Sequence, residues 1–126
     1  RVRHDLLTFL VHPSLPPASG GTSTEEELGM GIHGGLNETS VFAHLRPGEV
    51  DMDRAVRNVP EWMAGNPSVR FGGPVQFGWT SRDFGPGGHI GDPTGANPEL
   101  GRKLFDAAVA SLAEQMCEIA GFDFRA

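Results

Sequence analysis

The apolar positions of this chain fall into a few separated runs, each with its own period. Leu6-Leu7-Thr8-Phe9-Leu10-Val11 is almost continuous and stops at His12-Pro13, the pattern of a central strand buried on both faces, as in parallel sheets. Val75-Gln76-Phe77-Gly78-Trp79 alternates and predicts a second strand, and Val69-Arg70-Phe71 has room for a shorter one. From Asn97 the period becomes helical. Asn97 is a good N-cap, Pro98 suits the first helical position, Glu99 follows, and the pattern runs to about Ala120 before Gly121. Leu104, Phe105, Ala108, Leu112, Met116 and Ile119 share one face of that helix, while Arg102, Lys103, Asp106 and Glu114 point elsewhere, so it is expected to lay one side on a sheet.

The segments between these runs are irregular. Pro13 to Thr24 holds three prolines and two glycines and reads as a surface loop leading into Glu25-Glu26-Glu27, taken as a solvated turn or helix start. Four glycines lie between Gly29 and Gly35, around His33. Asn37 can then cap a helix whose first turn holds Glu38, Thr39 and Ser40, and which must end before Pro47. Asp51 or Asp53 offers a cap for a second short helix through Ala55, Val56 and Val59, with Pro60 near its end. Thr80 to Ala96 is a long loop with neither period, and loops of that length are often functional.

Strand, loop, helix, strand and helix in that order predict an α/β layer sandwich. Two or three strands are too few to fill one, because helices on both faces need a wider sheet to cover. Either shorter strands such as Val69-Arg70-Phe71 lie in the loops, or further strands come from a segment or chain outside these 126 residues. Composition agrees with a loop-rich single domain: 18 glycines and 10 prolines exceed a fifth of the chain, against about 12% on average. The net charge of −6, with 10 basic residues, argues against a nucleic-acid surface, which needs clustered Lys and Arg. No run approaches the roughly 18 apolar residues of a membrane span. The single cysteine, Cys117, cannot form an internal disulfide, and a cytoplasmic setting is expected. The first residues, Arg1-Val2-Arg3, carry neither an initiator Met nor signal-peptide anatomy, so a start within a longer protein is expected.

The segment Gly31-Ile32-His33-Gly34-Gly35-Leu36-Asn37-Glu38-Thr39-Ser40 concentrates the candidate chemistry. Glycines let backbone approach a ligand closely, and free N–H groups at a helix start favour a carboxylate or an oxyanion. A neutral imidazole at His33 could move a proton or bind a divalent metal. The residues alone also allow a plainer reading, with His33 a hydrogen-bonded loop residue and Glu38 complementing the helix dipole.

His33-Gly34-Gly35, then Glu38-Thr39-Ser40, an apolar helix, Leu45-Arg46-Pro47 and Val50-Asp51-Met52 together resemble the signature of the creatininase family. Residues 81–96, with Gly91-Asp92-Pro93, resemble its late loop, and Leu100 to Ile119 its closing helix, so the resemblance covers about residues 28–120. It implies a three-layer α/β/α sandwich, of which residues 1–126 supply the C-terminal half. It also implies hydrolysis of a non-peptide C–N bond, in a cyclic amide or formamide-type substrate, by a metal-activated water. Two divalent ions per site, zinc, manganese or iron, and a homo-oligomer, commonly a hexamer, come with it.

The resemblance assigns His33 and Glu38 as catalytic residues. His33 would protonate the leaving nitrogen or steady the tetrahedral intermediate, and Glu38 would orient His33 or bind metal. Gly34 and Gly35 would border the substrate. The family's main metal motifs, a Glu-x-His-Gly-Pro-His stretch with a following Asp and an Asn-Gly-His segment, do not occur here. The remaining ligands are therefore expected from an N-terminal half, as a separate or cleaved chain, and this chain alone is expected to be inactive. Creatinine-specific members carry tryptophans just before the histidine, where this chain has Leu28, Gly29 and Met30, so creatinine itself is not the implied substrate. The alternative is a non-catalytic assembly or ligand-binding subunit of the same fold.

Other candidates read as structural. His89 and Asp92 belong to a turn-rich loop that could close over a substrate or meet another subunit. His4, His12 and His44 show no partner spacing, Trp62 and Trp79 read as core, and Ser40 lacks a nucleophile elbow. Cys117 has no basic neighbour to activate it.

Overall fold

A computed structural model describes residues 6–11 and 24–123. Three α-helices organise them: α1 (Leu36–Leu45), α2 (Glu61–Ala64) and α3 (Pro98–Gly121), with 3-10 turns at Met52–Arg54 and Ser81–Phe84. The loop Pro13 to Thr24 lies, apart from Thr24, outside the described residues.

The longest helix forms as its sequence predicts. The Asn97 side chain accepts the N–H of Leu100 at 2.9 Å, Pro98 opens the helix, and Gly121 is its last residue. Such a cap stabilises a helix start by about 1 kcal/mol. α1 packs on α3. The two come close at Gly101, where a Cβ would lie 1.9 Å from the backbone oxygen of Ser40. The buried Ser40 hydroxyl in turn accepts the N–H of Asn97 at 3.1 Å, so the start of α3 is fastened to the middle of α1. Leu104 fills the contact and is fully buried.

α1 begins two residues earlier than the sequence suggests. Its N-cap is Gly35, whose carbonyl accepts the N–H of Thr39 at 3.0 Å, and Asn37 lies buried inside the first turn. The second short helix is divided. Asp51 caps the 3-10 turn Met52–Arg54, its carboxylate taking the Asp53 N–H, whereas α2 starts only after Pro60. A proline ring pre-set for helix entry begins an element there rather than ending one.

Neither expected strand forms among the described residues. Leu6–Val11 runs along the end of α3, with Phe9 edge-on to Phe122 at 5.7 Å, and Leu10 is 86% exposed. An apolar strand needs neighbours on both edges and both faces, and no described segment supplies them. Val75–Trp79 follows Gly72-Gly73-Pro74 and folds onto an aromatic group in which Phe71 meets Phe77, Trp79 and Phe84 at 5.3–5.4 Å. Val69–Phe71 is likewise bends and turn. Trp62 stacks on Phe84 at 6.3 Å but is 68% exposed, and Trp79 is also exposed, so neither is the core residue expected. The core beneath that group is Met30, Met63, Phe84 and Ile90.

The apolar face of α3 is also less covered than expected. Leu104 is buried, yet Phe105 is 37% and Met116 53% exposed, because no sheet lies beneath them among the described residues.

Candidate active site

Extended pairing in the described residues is confined to two isolated antiparallel bridges, His33 with Ile90 and Asn58 with Gly91. The first fixes the backbone of His33: Ile90 donates to the His33 carbonyl at 2.7 Å, and His33 donates back at 3.1 Å. The second is reinforced by the Asn58 side chain, whose amide donates to the carbonyls of Phe84 and His89, both at 2.7 Å. These contacts hold the 84–91 loop against the glycine-rich segment. Asn58 carries no motif that would single it out in the sequence.

His33 and Glu38 are brought together. The His33 Nδ1 lies 3.5 Å from Glu38 Oε2, with side chains 64% and 59% exposed. The same carboxylate oxygen accepts the N–H of Gly34 at 2.5 Å. That bond does the work of a helix cap, since it occupies an amide just before α1 and holds the carboxylate near the positive end of the helix dipole. The imidazole is then held from two sides, by its backbone bridge and by a fixed carboxylate at Nδ1.

Gly34 and Gly35 have separate tasks. Gly34 has φ +65°, and a Cβ there would sit 2.9 Å from the His89 Cβ, so both its conformation and its neighbour require glycine. Gly35 is buried, and its Cβ would lie 2.3 Å from Glu27 Oε1. His89 turns its Nε2 to the Val56 carbonyl at 2.8 Å; a carbonyl only accepts, so Nε2 carries the proton.

Asp92 is more than a turn starter. Its carboxylate takes the Thr94 hydroxyl at 2.6 Å and amide at 3.0 Å, and lies 3.4 Å from Arg57 Nε. Burial alone would raise its carboxyl, but the two Thr94 bonds outweigh it, aided by the charges of Arg57 and His89, and hold it below the usual carboxylate range. Arg57 also pairs with Glu61 at 2.7 Å and donates to the Glu26 carbonyl at 3.3 Å.

Glu27 was expected in solvent, and the structure buries it completely. The turn itself forms, through Thr24 to Gly29, but the carboxylate folds inward and accepts N–H groups from Thr24 at 3.0 Å, Leu36 at 3.2 Å and Asp92 at 2.7 Å. No local signal in the sequence marks it, because the groups that hold the carboxylate lie as far away as Leu36 and Asp92.

Two hollows flank α1. A cleft of mixed polar and apolar lining, about 630 Å3, lies between Glu38, Thr39, Val50, Arg54, Val56 and His89. An apolar groove of about 480 Å3 runs between α1 and α3, along Ile32, Val41, Phe42, Leu45 and Phe105. His44 faces α3, its ring 6.0 Å from Phe105, whereas His4 and His12 lie outside the described residues. Cys117 is exposed on α3. No helix among the described residues is long and apolar enough to cross a membrane. A divalent centre needs about four donors, and among the described residues no three His, Cys, Asp or Glu side chains converge on one point. His33 and Glu38 therefore do not form a metal centre by themselves.

Two proteins of Mycobacterium tuberculosis, from strains CDC 1551 / Oshkosh and ATCC 25618 / H37Rv, are each 38% identical to the chain over 85 residues, and both are named mycofactocin precursor peptide peptidase. The match covers 61% of this chain and 28% of either relative, so the chain spans less than a third of their length. No solved structure matches it. Residues 3–116 match the creatininase family model, described as creatinine amidohydrolase. A match through nearly the whole chain, including the His33 to Ser40 segment, means that the chain belongs to the creatininase family and so to an α/β class of fold.

Proposed function

We propose that this chain is the proton-transferring part of an amidohydrolase that cleaves an amide-type C–N bond. The observation that carries the reading is the His33–Glu38 pair, held by the Gly34 amide at the start of α1. Glu38 Oε2 lies 3.5 Å from His33 Nδ1 and would steady the ring from that side, leaving Nε2 to deliver a proton outward. Water adds to the substrate carbonyl and gives up a proton, the C–N bond breaks, the nitrogen leaves as an amine with the proton from His33 Nε2, and the proton released by the water restores His33. A carboxylic acid and an amine result. Gly34 and Gly35, whose Cβ-free sides are filled by His89 and Glu27, would border the substrate through their backbone.

Activation of the water belongs to groups outside the described residues, in keeping with the lack of a converging ligand set here. We assign that task to an N-terminal companion segment carrying the ligands for zinc, manganese or iron, with the whole forming a three-layer sandwich that assembles as a homo-oligomer. Two observations support a companion. The relatives are more than three times the length matched, and Phe42, Leu45 and Phe105 expose an apolar face on α1 and α3. Cyclic and formamide-type amides are the substrates this family suggests, and the names of the two relatives add the amide of a peptide.

The test is amine release by the full-length protein from a panel of cyclic amides, N-formyl compounds and short peptides, together with its metal content. Hydrolysis of one class is expected, with at least one ion per site. No hydrolysis in any class, with less than one ion per site, would replace this reading with that of a non-catalytic binding subunit.

A further inference from the structure

We propose that Glu27 is the positioning residue of the His33–Glu38 pair, a role that rests on the amide-hydrolysis reading above. The His33 side chain is largely exposed, so its direction is set by its backbone and by Glu38 rather than by packing. Both of those supports lead back to Glu27. Its Oε1 accepts the N–H of Leu36, the first residue of α1 and two residues from Glu38. The same oxygen accepts the N–H of Asp92, two residues beyond the Ile90 that pairs with His33. Oε2 is anchored to the Thr24 amide at 3.0 Å and hydroxyl at 3.3 Å. One buried carboxylate thus ties together the helix start that carries Glu38 and the loop that carries the partner of His33.

The surroundings are shaped to this carboxylate. A Cβ at Gly31 would lie 2.3 Å from Oε2, one at Gly35 2.3 Å from Oε1, and one at Gly91 2.9 Å from Oε1. Three glycines on three sides leave space for this group and no larger one. The turn that delivers Glu27 places Leu28 at φ 55°, a left-handed conformation unfavourable for a leucine, which the burial of Glu27 holds in place. A carboxylate suits the position because both oxygens accept and every partner donates. An amide of the same shape would aim its NH2 at the donors of Thr24 or of Leu36 and Asp92.

The test compares Glu27→Gln with Asn97→Ala, which weakens the start of α3 away from the pair, in the full-length protein. Positioning predicts that Glu27→Gln lowers kcat about tenfold or more with KM changed less than about threefold. It also predicts amide hydrogen exchange at Ile90 and Asp92 faster by about tenfold or more, with the middle of α3 unaffected. Asn97→Ala should leave kcat and those two amides unchanged. Undiminished kcat in Glu27→Gln would overturn the proposal, as would an equal loss in Asn97→Ala, which would mark a general effect of stability. If the wild-type protein hydrolyses no amide, the amide-hydrolysis reading fails. Exchange at Ile90 and Asp92 then decides separately whether Glu27 holds the two segments.

Discussion

The Glu27 carboxylate accepts the backbone N–H of Asp92 at 2.7 Å across 65 positions of sequence. The contact uses Asp92's amide, while its own carboxylate turns to Thr94 and Arg57. The molecule consequently has two parts with different supports. The site is held by polar contacts between loops, and the α1–α3 pair is held by close packing and a cap.

Gly101→Ala tests the packing. The new methyl would sit 1.9 Å from the Ser40 oxygen, and because a Cβ cannot rotate away and that oxygen belongs to helix backbone, the helices must separate. A loss of about 2–3 kcal/mol is expected. Gly121→Ala, with nothing within 4 Å, should be neutral or stabilise by up to about 1 kcal/mol. Urea midpoints measure both, and equal midpoints would refute the close approach.

Asn97→Ala removes the acceptor for the Leu100 N–H and should cost about 1 kcal/mol, with Asn97→Asp recovering most of it. Faster amide exchange at Leu100 in the alanine variant is the local signature. An unchanged exchange rate there would mean that the cap contributes nothing.

Asp92 predicts a pH dependence. Its folded carboxyl is held below the usual range, so its contribution to stability is complete above the ordinary Asp value of about 3.9. That contribution is lost as pH falls through the lower folded value, because the unfolded chain binds the proton first. Asp92→Asn should therefore show a shallower loss of stability in acid than the wild type and a lower stability near neutrality. Parallel stability curves from pH 7 to pH 2 would contradict the Arg57 and Thr94 contacts.

What the sequence revealed depended on how local the cause was. The Asn97 cap, Pro98 and Gly121 define α3 within a few residues, and the structure follows them. The motif around His33 and Glu38 was equally local, its members five residues apart at one helix start. Glu27 was not legible, because its burial depends on Gly91 and Asp92, far along the chain, and the three consecutive acids suggested solvent. Leu6–Val11 and Val75–Trp79 carry strand composition, yet a strand exists only when neighbours pair with it, and among the described residues none does. The period of α3 placed Leu104 in the core, but Phe105 and Met116 on the same face are exposed, and no sheet covers them among the described residues.

The central claim is that His33, steadied by Glu38, supplies the proton to the leaving nitrogen. Its most direct test is the kcat of His33→Ala in the full-length protein, on whichever amide the wild type hydrolyses, alongside thermal unfolding. The account predicts a fall of about 100-fold or more with an unchanged melting temperature, since the side chain is largely exposed. A variant that hydrolyses the amide at the wild-type rate would contradict it.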